Sequence, residues 1–170
     1  FNFDRIMKSE KILLIALSKG KIGDINAQML GLILITKLQA AVLKRARIAP
    51  AERYPFYVYV DEFQNMITDT FASLLSESRK YGLGLHLTNQ YFAQLPTKIQ
   101  DAIIGNIGTI IAFEVGAEDA TKLEPEFFPI TKDDFLGLAR YHFYIKLMLN
   151  GKTSRAFSGV SQNPADYQVY

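Results

Sequence analysis

Short apolar runs, each followed by a stretch with helical periodicity, constrain this chain more than any other feature. Lys11 to Leu17 (KILLIAL) is apolar at consecutive positions and ends at Ser18-Lys19-Gly20. A strand without polar alternation is one buried on both faces, as in a parallel sheet. Gly20 and Gly23 make the turn, and Asp24 supplies the N-cap of a long helix to about Arg47. Apolar residues at 29, 30, 32, 33, 34, 38, 42 and 43 give that helix a wide stripe for packing on a sheet. Phe56–Val60 (FYVYV) is a second strand, set between Pro55 and the pair Asp61-Glu62. Thr68 caps a helix to about Tyr81, and Gly82 and Gly84 turn the chain into a third strand, Leu85 to Thr88, with Asn89-Gln90 at its end.

Thr97 then begins a helix that ends near Gly105-Asn106, and Gly108 to Val115 is a fourth strand. Gly116-Ala117-Glu118-Asp119 opens a short helix, and Thr131-Lys132-Asp133-Asp134 has the pattern of a capping box. His142 to Leu149 and Thr153 to Val160, joined at Asn150-Gly151, form a hairpin, because Asn-Gly suits a tight turn with two positive φ angles. The order predicts an α/β fold, a mainly parallel sheet flanked by helices and closed by an antiparallel hairpin. In such sheets the active site lies at the carboxyl ends of the strands, the edge where Asp61, Glu62 and Gln90 fall. The length predicts one domain portion over residues 1–161, with an extended tail over 162–170.

The absence of cysteine excludes a disulfide scaffold, a cysteine-based metal or iron–sulfur site and a thiol nucleophile. Two histidines, His86 and His142, are too few for a histidine-rich metal site, and His86 reads as a packed or edge residue of its strand. The longest apolar run, Met29 to Ile35, falls well short of the roughly 20 residues of a membrane span. The opening Phe-Asn-Phe-Asp suggests a piece excised from a longer protein. Residues 1–60 carry ten Lys/Arg against four Asp/Glu, and residues 61–170 nine against thirteen. The basic excess is either a solvated helix face or an edge near Lys44, Arg45 and Arg47 that meets nucleic acid. The acidic stretch from Glu114 to Asp134 reads as solvated surface.

Tyr57-Val58-Tyr59-Val60-Asp61-Glu62 is a Walker B pattern. A buried strand holds the first carboxylate at the sheet edge, where Asp61 can hold Mg²⁺ through water, while Glu62 can polarise an attacking water. The plain alternative is a strand that ends in two acids to open a loop. Gln90, ending the next strand, suits a sensor of a γ-phosphate or a turn residue. Arg79, near a helix C-terminus, is either a solvated cation favoured by the helix dipole or an arginine finger aimed across a subunit interface.

The stretch VDEFQNMITDTFASLLSESRKYGLGLHLTNQYFAQLP resembles the second half of the motor domain of type IV secretion (conjugative) coupling proteins. LSKGKIGD, GNIGTIIAFEVGAEDA and YHFYIKLMLNGKTSRAF extend that likeness over nearly the whole chain. The resemblance implies a RecA-like P-loop NTPase fold and an ATPase that translocates DNA as a homo-hexamer. It implies that Asp61 binds Mg²⁺ and contributes to the nucleotide site, that Glu62 is the catalytic carboxylate, that Gln90 is the sensor touching ATP, and that Arg79 is a finger acting in trans. The implied partners are DNA and a relaxase or other secretion component. The implied location is the cytoplasmic side of the inner membrane, with membrane contact only through segments outside these residues.

Two departures stand out. No Walker A loop is present: Gly151-Lys152-Thr153 has Lys146 where the pattern needs glycine, and it sits in the expected hairpin. The phosphate-cradling loop is therefore expected upstream, and these residues alone are expected to hydrolyse no ATP. Glu114 also stands where many relatives carry a basic residue. The alternatives are a soluble repair-type hexameric helicase of the same superfamily and a non-catalytic module that binds a secretion partner. A metal-dependent nuclease or phosphatase is disfavoured, since only Asp61 and Glu62 cluster.

Overall fold

In a computed structural model, which describes residues 2–9 and 11–163, the chain forms two compact units, Phe1–Gln90 and Tyr91–Tyr170. The first begins with helix α1 (Phe3–Lys8), whose N-cap Asn2 accepts from the Arg5 N–H, and the single turn α2 (Lys19–Ile22). Between them, residues 11–17 do not form the expected strand. They lack regular structure, and Ile12 and Leu14 are 90% and 88% exposed. A strand this apolar needs a hydrogen-bonded neighbour and cover on both faces. Among the described residues no strand pairs with it, because β1 (Phe56–Val60) and β2 (Leu83–Leu87) pair only with each other.

Helix α3 (Asp24–Lys44) dominates the first unit. Its N-cap is Gly23, at φ +81°, and Asp24 stands inside the helix in an ion pair with Lys19 at 3.0 Å. The buried stripe is Ala27, Gly31, Ile35, Leu38, Ala41 and Val42, whereas Met29, Leu30, Ile33 and Leu43 of the expected stripe are exposed. Small residues carry the contact. A Cβ at Gly31 would lie 2.7 Å from Met66 Cγ, so glycine is what lets that side chain lie against the helix. The stretch Asp24–Arg47 is long and apolar enough to cross a membrane, contrary to the reading from its longest apolar run. Its apolar residues are spread over the whole helix, and a third of its most apolar window is buried here. A 3-10 turn follows over Arg45–Arg47.

β1 and β2 are parallel and in register from Phe56↔Leu83 to Val60↔Leu87. They are joined through α4 (Asp69–Glu77) and a 3-10 turn over Ser78–Tyr81 that ends at Gly82, φ +70°. The helix thus stops four residues earlier than its periodicity predicts. Thr68 precedes it without a side-chain capping bond. Phe63 and Phe71, both essentially buried, stack at 5.5 Å in the core with Leu74, Leu75 and Leu83.

The second unit contains α5 (Thr97–Asn106), β3 (Ile110–Ala112), α6 (Ala117–Leu123), α7 (Lys132–Leu136), β4 (His142–Lys146), β5 (Met148–Leu149), β6 (Lys152–Thr153) and β7 (Phe157–Val160). Its sheet is antiparallel, in the order β3-β4-β7, so the fourth expected strand does not extend a parallel sheet. The reason is local: β3 pairs with β4, which returns towards it after α7. The hairpin β5–β6 forms as expected, with Asn150 at φ 50° and Gly151 at φ 77°. Gly151-Lys152-Thr153 therefore lies in a hairpin and not at the start of a helix. The capping box at Thr131 and Asp134 is also present. The core is Ala112, Ala120, Leu123, Phe127 and Phe135. The two phenylalanines meet edge-on at 5.3 Å, and burying each is worth about 1.5–3 kcal/mol. The fold is thus mixed α/β, with one small parallel pair and two antiparallel sheets. Of the expected tail over 162–170, residues 164–170 lie outside the described residues.

Candidate functional site

The parallel ladder continues beyond the formal strands: the Thr88 N–H donates to Val60 O at 3.0 Å and the Phe63 N–H to Thr88 O at 3.2 Å. This brings Thr88 beside Asp61. The Thr88 hydroxyl donates to Asp61 Oδ1, which also accepts the Glu62 N–H at 3.1 Å. Asp61 is exposed at the carboxyl end of β1, and two bonds orient one of its oxygens. A single exposed carboxylate held in this way suits Mg²⁺, which takes few protein carboxylates and keeps much of its water. Among the described residues no three acidic or histidine side chains converge as a metal cage.

Glu62 differs from its neighbour. It is half-buried and adopts a left-handed backbone, φ 50° and ψ 47°, at a cost of about 1–2 kcal/mol for a residue with a Cβ. That conformation ends the strand and starts a 3-10 turn over Phe63–Met66. The Glu62 carboxylate accepts from the Gln64 amide, and its backbone carbonyl accepts from Asn65 Nδ2 at 3.0 Å. Asn65 Oδ1 in turn accepts from Lys19 Nζ at 3.1 Å, tying the turn that follows residues 11–17 to the acid pair. Two buried amide atoms here, Gln64 Oε1 and Asn89 Nδ2, have no hydrogen-bond partner in the described protein.

Of the residues expected from sequence, Asp61 and Glu62 share this edge. Gln90 is exposed, three residues past the end of β2, and Thr88 takes the place facing Asp61. Arg79 is exposed on the 3-10 turn after α4. Thr88, Gln64, Asn65 and Lys19 were not expected. The in-register pairing of two strands 27 residues apart is the signal for Thr88, since it carries position 61 onto position 88. His86 is exposed and stacks on Tyr59 at 4.3 Å between centroids, as befits a surface strand residue.

A second polar cluster lies within the other unit. Asp119 is 4% exposed and accepts the Phe92 N–H at 2.9 Å and the Ala93 N–H at 2.6 Å. Gln100, also buried, donates to Ala93 O and Leu95 O and accepts from Lys122 Nζ at 3.0 Å. Asp119 is therefore no part of a solvated acidic surface. It fixes the loop that follows Gln90.

Residues 55–124 match the family described as the TraM recognition site of TraD and TraG. No curated protein matches the sequence. Among solved structures, the genome packaging NTPase B204 of Sulfolobus turreted icosahedral virus 2, in complex with AMPPCP, superposes with a TM-score of 0.52 at 18% identity. The alignment covers 72% of this chain and 60% of that one, and at that identity the likeness is one of fold. The similarity to the TraD and TraG family thus falls on residues 55–124, the segment bearing the acid pair and Thr88.

Proposed function

We propose that this chain is part of the ATP-driven DNA-translocating motor of a type IV coupling protein. The observation that carries the reading is the acid pair at the carboxyl edge of a parallel strand pair, with Asp61 oriented by Thr88 from the neighbouring strand. The fold shared with a packaging NTPase that holds an ATP analogue supports a nucleotide at this edge. In this reading Asp61 holds Mg²⁺ through water and Glu62 accepts a proton from the attacking water. Gln90 contacts the γ-phosphate, and Arg79 reaches the nucleotide of the adjacent subunit in a hexameric ring. The ion would lower the charge on the phosphates. Residues 1–170 hold no Walker A pattern, so in this reading they do not supply the phosphate-cradling loop. The cargo is DNA, delivered with a relaxase or other secretion component at the cytoplasmic face of the inner membrane.

A second reading has an observation of its own. The matched family is described as a recognition site for TraM, so residues 55–124 would dock a conjugation partner protein. The two readings separate on ATPase activity of the full-length protein with and without DNA. The motor reading expects DNA-stimulated turnover that falls about 100-fold in Glu62→Gln, within the range for removing a general base. Equal turnover in both proteins would make the acid pair architectural and leave the docking role alone.

A further inference from the structure

Helix α1, the last turn of α3 and the segment after it border a cleft of about 710 Å³. Four cations line it, Lys8, Lys44, Arg45 and Arg53, against two acids, Asp4 and Glu52. Asp4 is already engaged, holding Lys44 Nζ at 2.8 Å. Among the described residues neither arginine has a carboxylate within ion-pairing distance. Arg45 is nonetheless only 7% exposed. A buried guanidinium without an anion is costly, and a second one beside it raises the cost. Burial and the Arg53 charge both lower the Arg45 pKa, which records the same tension.

The two guanidiniums are held in place. Arg45 donates to Gly82 O at 3.3 Å and to Tyr54 O, and Arg53 donates to Ile48 O at 2.9 Å and to Lys80 O. Arg53 also lies over the Tyr81 ring, 5.6 Å from its centroid. The glycine at 82 permits this approach, since a Cβ there would sit 3.4 Å from Arg45 Nη2 and 3.6 Å from Arg53 Cβ. Carbonyls use only part of the donor capacity of a guanidinium, which has five N–H groups in a planar fork. The remaining donors and the uncompensated charge call for an oxyanion, and the fork geometry matches phosphate.

We propose that this cleft binds a phosphate oxyanion through the Arg45 and Arg53 guanidiniums, with Lys8 contributing from α1. The inference is independent of the motor reading. It gives the basic edge around Lys44 and Arg45 a defined ligand chemistry. The phosphate can be a free phosphate group or a phosphodiester of a nucleic-acid backbone.

The test is a titration of the whole chain with inorganic phosphate at constant ionic strength, balanced with chloride, read by thermal melting and by the Arg Nε–H signals in NMR. The expected result is a saturable rise in Tm with shifts of the Arg45 and Arg53 signals. Arg53→Gln should weaken the apparent Kd about tenfold, the scale of one charge-assisted contact. Lys8→Ala, at an exposed position, should weaken it by a smaller factor and covers the case in which Arg53→Gln does not fold. A short DNA duplex that competes with phosphate in the wild type identifies the phosphodiester as the source. A duplex that leaves the phosphate Kd unchanged identifies the free group. A Tm rise no larger than chloride gives, or one unchanged in both variants with no shift at Arg45 or Arg53, would overturn the proposal.

Discussion

Replacing Asp119 with alanine should be among the most damaging single changes in the second unit, although it sits in a sequence that reads as acidic surface. The carboxylate is almost wholly buried and accepts two backbone N–H groups, from Phe92 and Ala93. A hydrogen bond to a charged group contributes about 1.5–3 kcal/mol, and losing the acceptor leaves its donor unpaired. Two such bonds set an upper range of about 3–6 kcal/mol. Phe92 and Ala93 are half-buried, so water can reach the orphaned donors and recover part of this. The expected loss is then about 2–4 kcal/mol. Asp119→Asn should recover less than half, because one amide oxygen can accept while its NH₂ faces the second donor. Urea unfolding would read the loss as a lower midpoint at unchanged slope. Amide exchange would show Phe92 and Ala93 losing protection ahead of β4. A loss below about 0.5 kcal/mol, the level of an ordinary surface change, with both amides still protected, would refute the reasoning.

Two further predictions concern local backbone chemistry. Gly151→Ala, at φ 77° in the hairpin turn, should cost about 1–2 kcal/mol in thermal or urea melts, whereas Gly105→Ala in α5, with open space around its Cβ, should stabilise by about 0.5–1 kcal/mol. The Asp134 carboxyl is held below its ordinary value by hydrogen bonds from the Thr131 hydroxyl and then from the Thr131 backbone N–H, against a weaker opposing effect of burial. A depressed folded-state value means that the capping box stabilises above the ordinary aspartate range and loses its contribution as pH falls through the lowered value. A ¹³C titration should give a midpoint below that of ordinary aspartate, and Thr131→Val should move it back up.

Local chemistry was legible in the sequence wherever the deciding interactions lie within a few residues. FYVYV is a strand because β-branched and aromatic residues alternate across it, the Thr131 box forms because its partners are three residues apart, and Asn150-Gly151 turns because both residues tolerate positive φ. Legibility failed where the partner is distant. KILLIAL has the composition of a central strand, yet a strand exists only with a neighbour, and none pairs with it among the described residues. The buried face of α3 is legible only in part: Leu38 and Val42 lie on it as the pattern predicts, but Ala27, Gly31, Ile35 and Ala41 share it, and Gly31 admits Met66 where a larger residue would not. Asp119 was missed because nothing in an acidic run marks which carboxylate will meet two N–H groups 26 and 27 residues away.

At the candidate site the two acids were legible and their different mechanical situations were not. Asp61 continues the ladder direction and is tied to Thr88 across it, so any shift of one strand along the other would pull its carboxylate. Glu62 has left the ladder. Its left-handed backbone turns it into the loop, and its restraints come from Gln64 and Asn65 in the same turn. In the motor reading proposed above, this difference would suit a division between holding an ion and moving a proton: the first carboxylate would keep its position and the second would approach and leave a water. Lys19, bonded to Asn65, links the turn after residues 11–17 to the backbone carbonyl of Glu62.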